Sequence, residues 1–123
     1  KWYSTFFADA PVVVAVLMRP YESVMTPVLD KLGLSAQELN EMRGMPDYTS
    51  VGAAVENFLL AATALGYGTC WRSGPVIARP ELEFALEVVK PWRLEALIAM
   101  GRPDGAITQA PKKPLSEIFE EVE

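Results

Sequence analysis

The sequence predicts an α+β domain, with a central sheet flanked by helices and an extended C-terminal arm. Three observations predict it. Residues 11–18 and 93–100 are apolar runs of strand length, residues 51–65 are a nearly all-apolar stretch of helix length, and the tail from Arg102 carries Pro103, Pro111 and Pro114.

The first run, Pro-Val-Val-Val-Ala-Val-Leu-Met, is continuous rather than alternating. That is the pattern of a strand covered on both faces, and Pro20 ends it. Residues 22–32 predict a helix interrupted near Pro27. Ser35-Ala36-Gln37-Glu38 fits a capping box, which opens a short helix ending by Gly44. The long helix comes next. Between Val51 and Leu65 the clearly polar side chains are Glu56, Asn57 and Thr63, a stripe too narrow for an ordinary surface helix. It should be covered on most sides, by its own core or by another subunit. Ser50 is the expected N-cap and Gly66 the expected left-handed stop.

The helix runs into Gly66-Tyr67-Gly68-Thr69-Cys70-Trp71, read as a glycine-punctuated loop. A dinucleotide-binding fingerprint is excluded, because the third glycine is missing and the segment follows a helix instead of a strand. Glycines here let the backbone approach a flat partner closely, and Gly74 adds another such point; a helix cap followed by a turn accounts for Gly66 and Gly68 as well. Pro80 then suits a first helical position, with Glu81 and Glu83 near the helix N-terminus and Pro91 beyond its end. Residues 93–100 return as a mostly buried strand, and the arm ends in a short acidic helix from Leu115.

With 123 residues, half of them apolar, the chain suits one domain with a real core, and it holds no repeat or linker that would divide it. Two strands alone make a poor sheet. Because Lys1-Trp2-Tyr3 also opens the chain close to a core strand, the expectation is a piece of a longer protein whose N-terminal portion lies elsewhere.

There is no histidine, which removes histidine-based triads, histidine metal sites and a histidine acid or base. Cys70 is the one cysteine, so it has neither a disulfide partner in the chain nor an imidazole to activate it, and it reads as a small buried side chain. An enzyme of this composition would leave the hard chemistry to a cofactor. The net charge of −5 argues against a nucleic-acid partner. No apolar run reaches the roughly 20 residues a membrane span needs, and no secretory signal is visible, so the expected setting is cytoplasmic.

The alanine-rich helix with its Glu56-Asn57 pair, the following Leu-Gly-Tyr-Gly-Thr-Cys-Trp, and Gly74 resemble the FMN-dependent nitroreductase family. Two further segments agree: Ala10-Pro11 leading into residues 12–18 resembles the family's core strand, and residues 94–100 with Gly101-Arg102-Pro103 resemble its last core strand and exit. Order and spacing of all three segments carry the resemblance, which spans residues 6–115. It implies a central mixed or antiparallel sheet, FMN as cofactor, NAD(P)H as co-substrate, and a homodimer with the flavin at the interface. It also implies that the Arg-x-Ser-x-Arg-like segment gripping the flavin lies outside this chain.

By position, the resemblance places Trp71, Arg72, Ser73 and Gly74 along the flavin edge near N5, held through main-chain groups. Some relatives carry an acidic residue where this chain has Ser73. Lys112 and Lys113 sit where the family commonly places basic residues on the FMN phosphate; two solvated lysines in an extended tail fit the sequence equally. Arg72 faces the phosphate, the substrate or a salt bridge, and the sequence does not choose. Trp71, Tyr67, Tyr48 and Tyr21 are walls for an aromatic substrate or ordinary core residues. The implied activity is ping-pong hydride transfer from NAD(P)H to a nitroaromatic, a quinone or a similar small acceptor. The alternative is a non-catalytic ligand-binding or dimerisation module of the same fold.

Overall fold

Val12–Met18 (β1), Gly68–Arg72 (β2) and Arg93–Gly101 (β3) form one antiparallel sheet in the order β1-β3-β2. The computed structural model describes residues 6–21, 24, 26–29, 31, 33–105 and 110–121. The central strand is pinned from both sides, Ile98 lying opposite Val14 on one neighbour and Trp71 on the other. That position explains its composition. Leu94 and Ile98 are fully buried, with Ala96, Leu97 and Ala99 beside them, so a continuous apolar run is what the centre of the sheet requires.

The flanking strands differ from expectation. Only Met18 of β1 is buried, while Val12, Val13 and Leu17 are exposed, so within this chain β1 is an edge strand whose apolar run is not covered on both faces. The glycine-rich segment after the long helix is not a loop but contains β2, and Trp71 and Arg72 are therefore strand residues. This third strand completes a sheet that two strands could not sustain. The arrangement is the α+β architecture the sequence predicts, with the sheet wholly antiparallel.

Thr26–Leu29 (α1) is a single turn containing Pro27; the other residues of the expected interrupted helix at 22, 23, 25, 30 and 32 lie outside the described residues. Ala36–Met42 (α2) opens as the sequence predicts: the Glu38 N–H donates to Ser35 Oγ at 3.2 Å, and the Ser35 N–H donates to Glu38 Oε2 at 2.8 Å. The Ser35 hydroxyl also donates to Glu38 Oε2 at 2.6 Å, and this bond, with the smaller help of the Ser35 N–H, holds the Glu38 carboxyl below its ordinary value.

Pro46–Ala64 (α3) begins a full turn before the expected N-cap. Pro46 takes the first helical position, where its missing N–H costs nothing, and Met45 in the left-handed region precedes it. Ser50 thus lies inside the helix, and its capping role is withdrawn. At the other end, Gly66 has φ +81°, its N–H donates to the Thr63 carbonyl, and the Tyr67 N–H donates to the Ala62 carbonyl. That pair of bonds is a Schellman stop. Only Val55 and Ala62 of α3 are buried; the chain's own core covers one narrow side of it.

After β2 the chain makes a 3-10 turn over Gly74–Ala78 and enters Arg79–Ala85 (α4), where Pro80 is the second helical residue instead of the first. The arm carries a short 3-10 turn at Leu115–Glu117, and residues 110–121 are exposed. Lys1-Trp2-Tyr3 and residues 106–109 lie outside the described residues.

Candidate functional site

β2 and its exit carry four of the six residues singled out by sequence. Successive strand residues face opposite sides, and the Trp71 ring lies over α3: a Cβ built on Gly52 would sit 4.0 Å from its Cη2. Trp71 nevertheless stays 45% exposed, while Arg72 on the other face is half-buried. Ser73 and Gly74 follow, both exposed.

Gly74 is the position at which space decides a role. A Cβ placed there would meet nothing within 4 Å, so the fold's own packing does not demand a glycine. The Gly74 N–H opens the 3-10 turn and donates to no backbone acceptor among the described residues, as expected for the first amide of a helical segment. Open space beside an available main-chain donor suits the edge of a flat, hydrogen-bond-accepting ring. In this respect the residues present fit a flavin.

Lys112 and Lys113 are not brought to this point by any contact. Both are exposed in the arm and, among the described residues, neither forms an ion pair. The tyrosines divide between the two ends of the sheet. Tyr21 and Tyr48 line a cavity of about 370 Å³ with Asn40, Asp47 and Arg93. Tyr67 lines a shallower apolar groove of about 650 Å³ with Thr69, Cys70, Met100 and Arg102. Each of the three rings is backed by a guanidinium: Arg43 at 4.9 Å from the Tyr21 centroid, Arg93 at 5.2 Å from Tyr48, and Arg102 at 5.5 Å from Tyr67. Cys70 is half-buried at the groove, more open than the buried side chain the sequence suggests.

One cluster escapes the sequence reading. Glu95 on β3 is 10% exposed in its side chain and is shared between two arginines, Arg79 at 3.4 Å and Arg93. Arg93 also donates to Tyr48 Oη at the start of α3. Next to it, the Leu94 N–H donates to Glu83 Oε1 of α4 at 2.7 Å. The available signal is a lone carboxylate in the middle of an apolar central strand, which must find a partner to be buried at all.

A model of the Nitroreductase family matches residues 1–102. The chain belongs to the nitroreductase family. Within it, the chain is similar to YfhC of Bacillus subtilis (strain 168), provisionally named an NAD(P)H nitroreductase, with 27% identity over 86 residues that cover 70% of this chain and 44% of that protein. Among solved structures it is similar to a BluB-like flavoprotein from Clostridium difficile 630, with a TM-score of 0.76, 31% identity, and coverage of 96% of this chain and 57% of that one. NfrA2 of B. megaterium shares the fold, with a TM-score of 0.65 at 18% identity, over 98% of this chain and 51% of that one. The chain spans about half the length of these relatives. The nitroreductase resemblance drawn from the order of strand, helix, Gly-rich segment and last strand therefore holds.

Proposed function

We propose that the protein to which this chain belongs is an FMN-dependent oxidoreductase that uses NAD(P)H to reduce a small acceptor such as a nitroaromatic or a quinone. The observation that carries this reading is the exit of β2, where an open Gly74 with an available N–H stands at the position that the sequence resemblance implies for the flavin edge. Ser73 and Gly74 would hold the ring edge through main-chain N–H groups, and Lys112 and Lys113 in the arm would supply positive charge for the phosphate. When bound, FMN supplies the hydride chemistry between NAD(P)H and the acceptor. Donors fixed at the ring edge favour an anionic reduced form, by the reasoning that applies to an oxyanion hole. Without histidine in the chain, this reading gives its side chains binding and orientation.

The same reading makes the protein a homodimer with flavin between subunits. Its support is α3, a helix with few polar residues that leaves Leu60 59% exposed, with Leu65 at its C-cap 76% exposed. Among the described residues no helix is long and apolar enough to cross a membrane. We place the protein in the cytoplasm on the cofactor chemistry proposed.

The test is anaerobic mixing of the FMN-loaded, full-length protein with NADH and, separately, NADPH. Bleaching of the visible flavin band by one of them, reversed by adding a nitroaromatic or a quinone, is expected. A flavin band that neither nucleotide bleaches would assign the protein to the non-catalytic module of the same fold.

A further inference from the structure

We propose that Glu95 is a positioning residue for residues 73–78, the segment that would lie along the flavin edge; this rests on the functional reading above. The β2-β3 ladder ends at Arg72 opposite Leu97, so hydrogen bonding to the sheet no longer fixes the chain beyond that point. Packing on β3 holds the half-buried Pro75, Val76 and Ala78 but does not reach Ser73 and Gly74, which are exposed with open space beside Gly74. A second anchor lies immediately after the segment.

Arg79, the first residue of α4, donates through Nη2 to Glu95 Oε2 on β3. Four residues on, Glu83 accepts the Leu94 N–H. Adjacent residues of the most buried strand thus grip both ends of the first turn of α4, and the 3-10 turn Gly74–Ala78 is held between this grip and the end of β2. The second oxygen of Glu95 is taken by Arg93, which bonds Tyr48 at the start of α3. One nearly buried carboxylate therefore ties the β2 exit and the long helix to the centre of the sheet. A neutral glutamine would turn an NH₂ group toward one of the two guanidinium groups, and that side of the grip would open.

Arg79 and Arg93 are about one-third exposed, with side-chain values of 35% and 34%, so either can be hydrated when its carboxylate is lost. The cost falls on order at the β2 exit more than on the core.

Hydrogen-exchange mass spectrometry on the full-length protein tests this, comparing wild type with Glu95→Gln and with Arg79→Gln. The second variant changes a part-exposed residue and keeps the Glu95–Arg93 pair, so it remains informative where the first fails to fold. Amides of residues 76–78, which the 3-10 turn bonds, are expected to exchange about tenfold faster in both variants, with β1 and β3 still protected, and Arg79→Lys should recover most of the protection. FMN affinity should fall by about the same factor while the amount of folded protein is unchanged. Unchanged exchange at 76–78 in Arg79→Gln would overturn the proposal. Exchange responds with or without cofactor, so faster exchange in a wild-type background that binds no FMN upholds the positioning role and counts against the flavin reading alone.

Discussion

At the residue scale, Gly66 is a glycine that the backbone requires, whereas neither the backbone nor the packing of the chain requires Gly74. Gly66 sits at φ +81° and closes a Schellman stop, so a side chain there is strained whatever surrounds it, by about 1 kcal/mol or more. Gly74 has no such backbone demand and no neighbour within 4 Å. Gly74→Val should therefore leave the thermal unfolding midpoint within error of wild type and weaken FMN binding at least about tenfold, a loss of roughly 1.4 kcal/mol. Calorimetric titration of the folded variant checks it; wild-type affinity would remove this loop from the flavin site. The residues legible in the sequence are those whose partners are near in sequence. The Ser35–Glu38 box and the Gly66 stop each close within a turn of helix, so spacing alone determines them. Ser50 is not the N-cap because Pro46, with its preset φ, starts the helix earlier, and the tie from Glu95 to α4 is not legible because Arg79 is sixteen residues away.

At the scale of elements, β3 was legible because residues 96–100 of this central strand form an unbroken apolar run, while β2 was not. Gly68-Thr69-Cys70-Trp71-Arg72 is short, begins with glycine and follows a helix stop, so local preference points to a loop and only pairing with β3 makes it a strand. The arm presents the reverse situation: its prolines and charges predict extended, exposed chain, and residues 110–114 are so. Among the described residues Lys112 and Lys113 form no ion pair. Changing Lys112 and Lys113 together to Ala should lower FMN affinity several-fold, by about 1 kcal/mol, and leave riboflavin affinity unchanged, since only FMN carries a phosphate. Parallel titrations with the two ligands read this directly. Equal losses for both, or none, would return the lysines to the solvated arm.

At the scale of the whole molecule, the surface is what most needs explanation. α3 shows its apolar residues to solvent on most sides, and β1 carries exposed valines on an edge strand. The sequence-level expectation that both elements are covered is not met within the chain, although the composition that produced it is sound. Burial is a property of the assembled protein, and the chain spans about half the length of the relatives it matches. The same consideration separates what was legible about the site. The segment proposed for the ring edge is local and was singled out by a resemblance in residue order, whereas among the described residues no ion pair ties Lys112 or Lys113 of the arm to it.

The central claim is that this nitroreductase-family protein carries FMN between two subunits. Native mass spectrometry of the purified full-length protein tests it most directly, because one spectrum gives subunit count and bound mass together. A dimer carrying two FMN is the predicted species; a flavin-free protein, or a monomer that retains flavin, would contradict it.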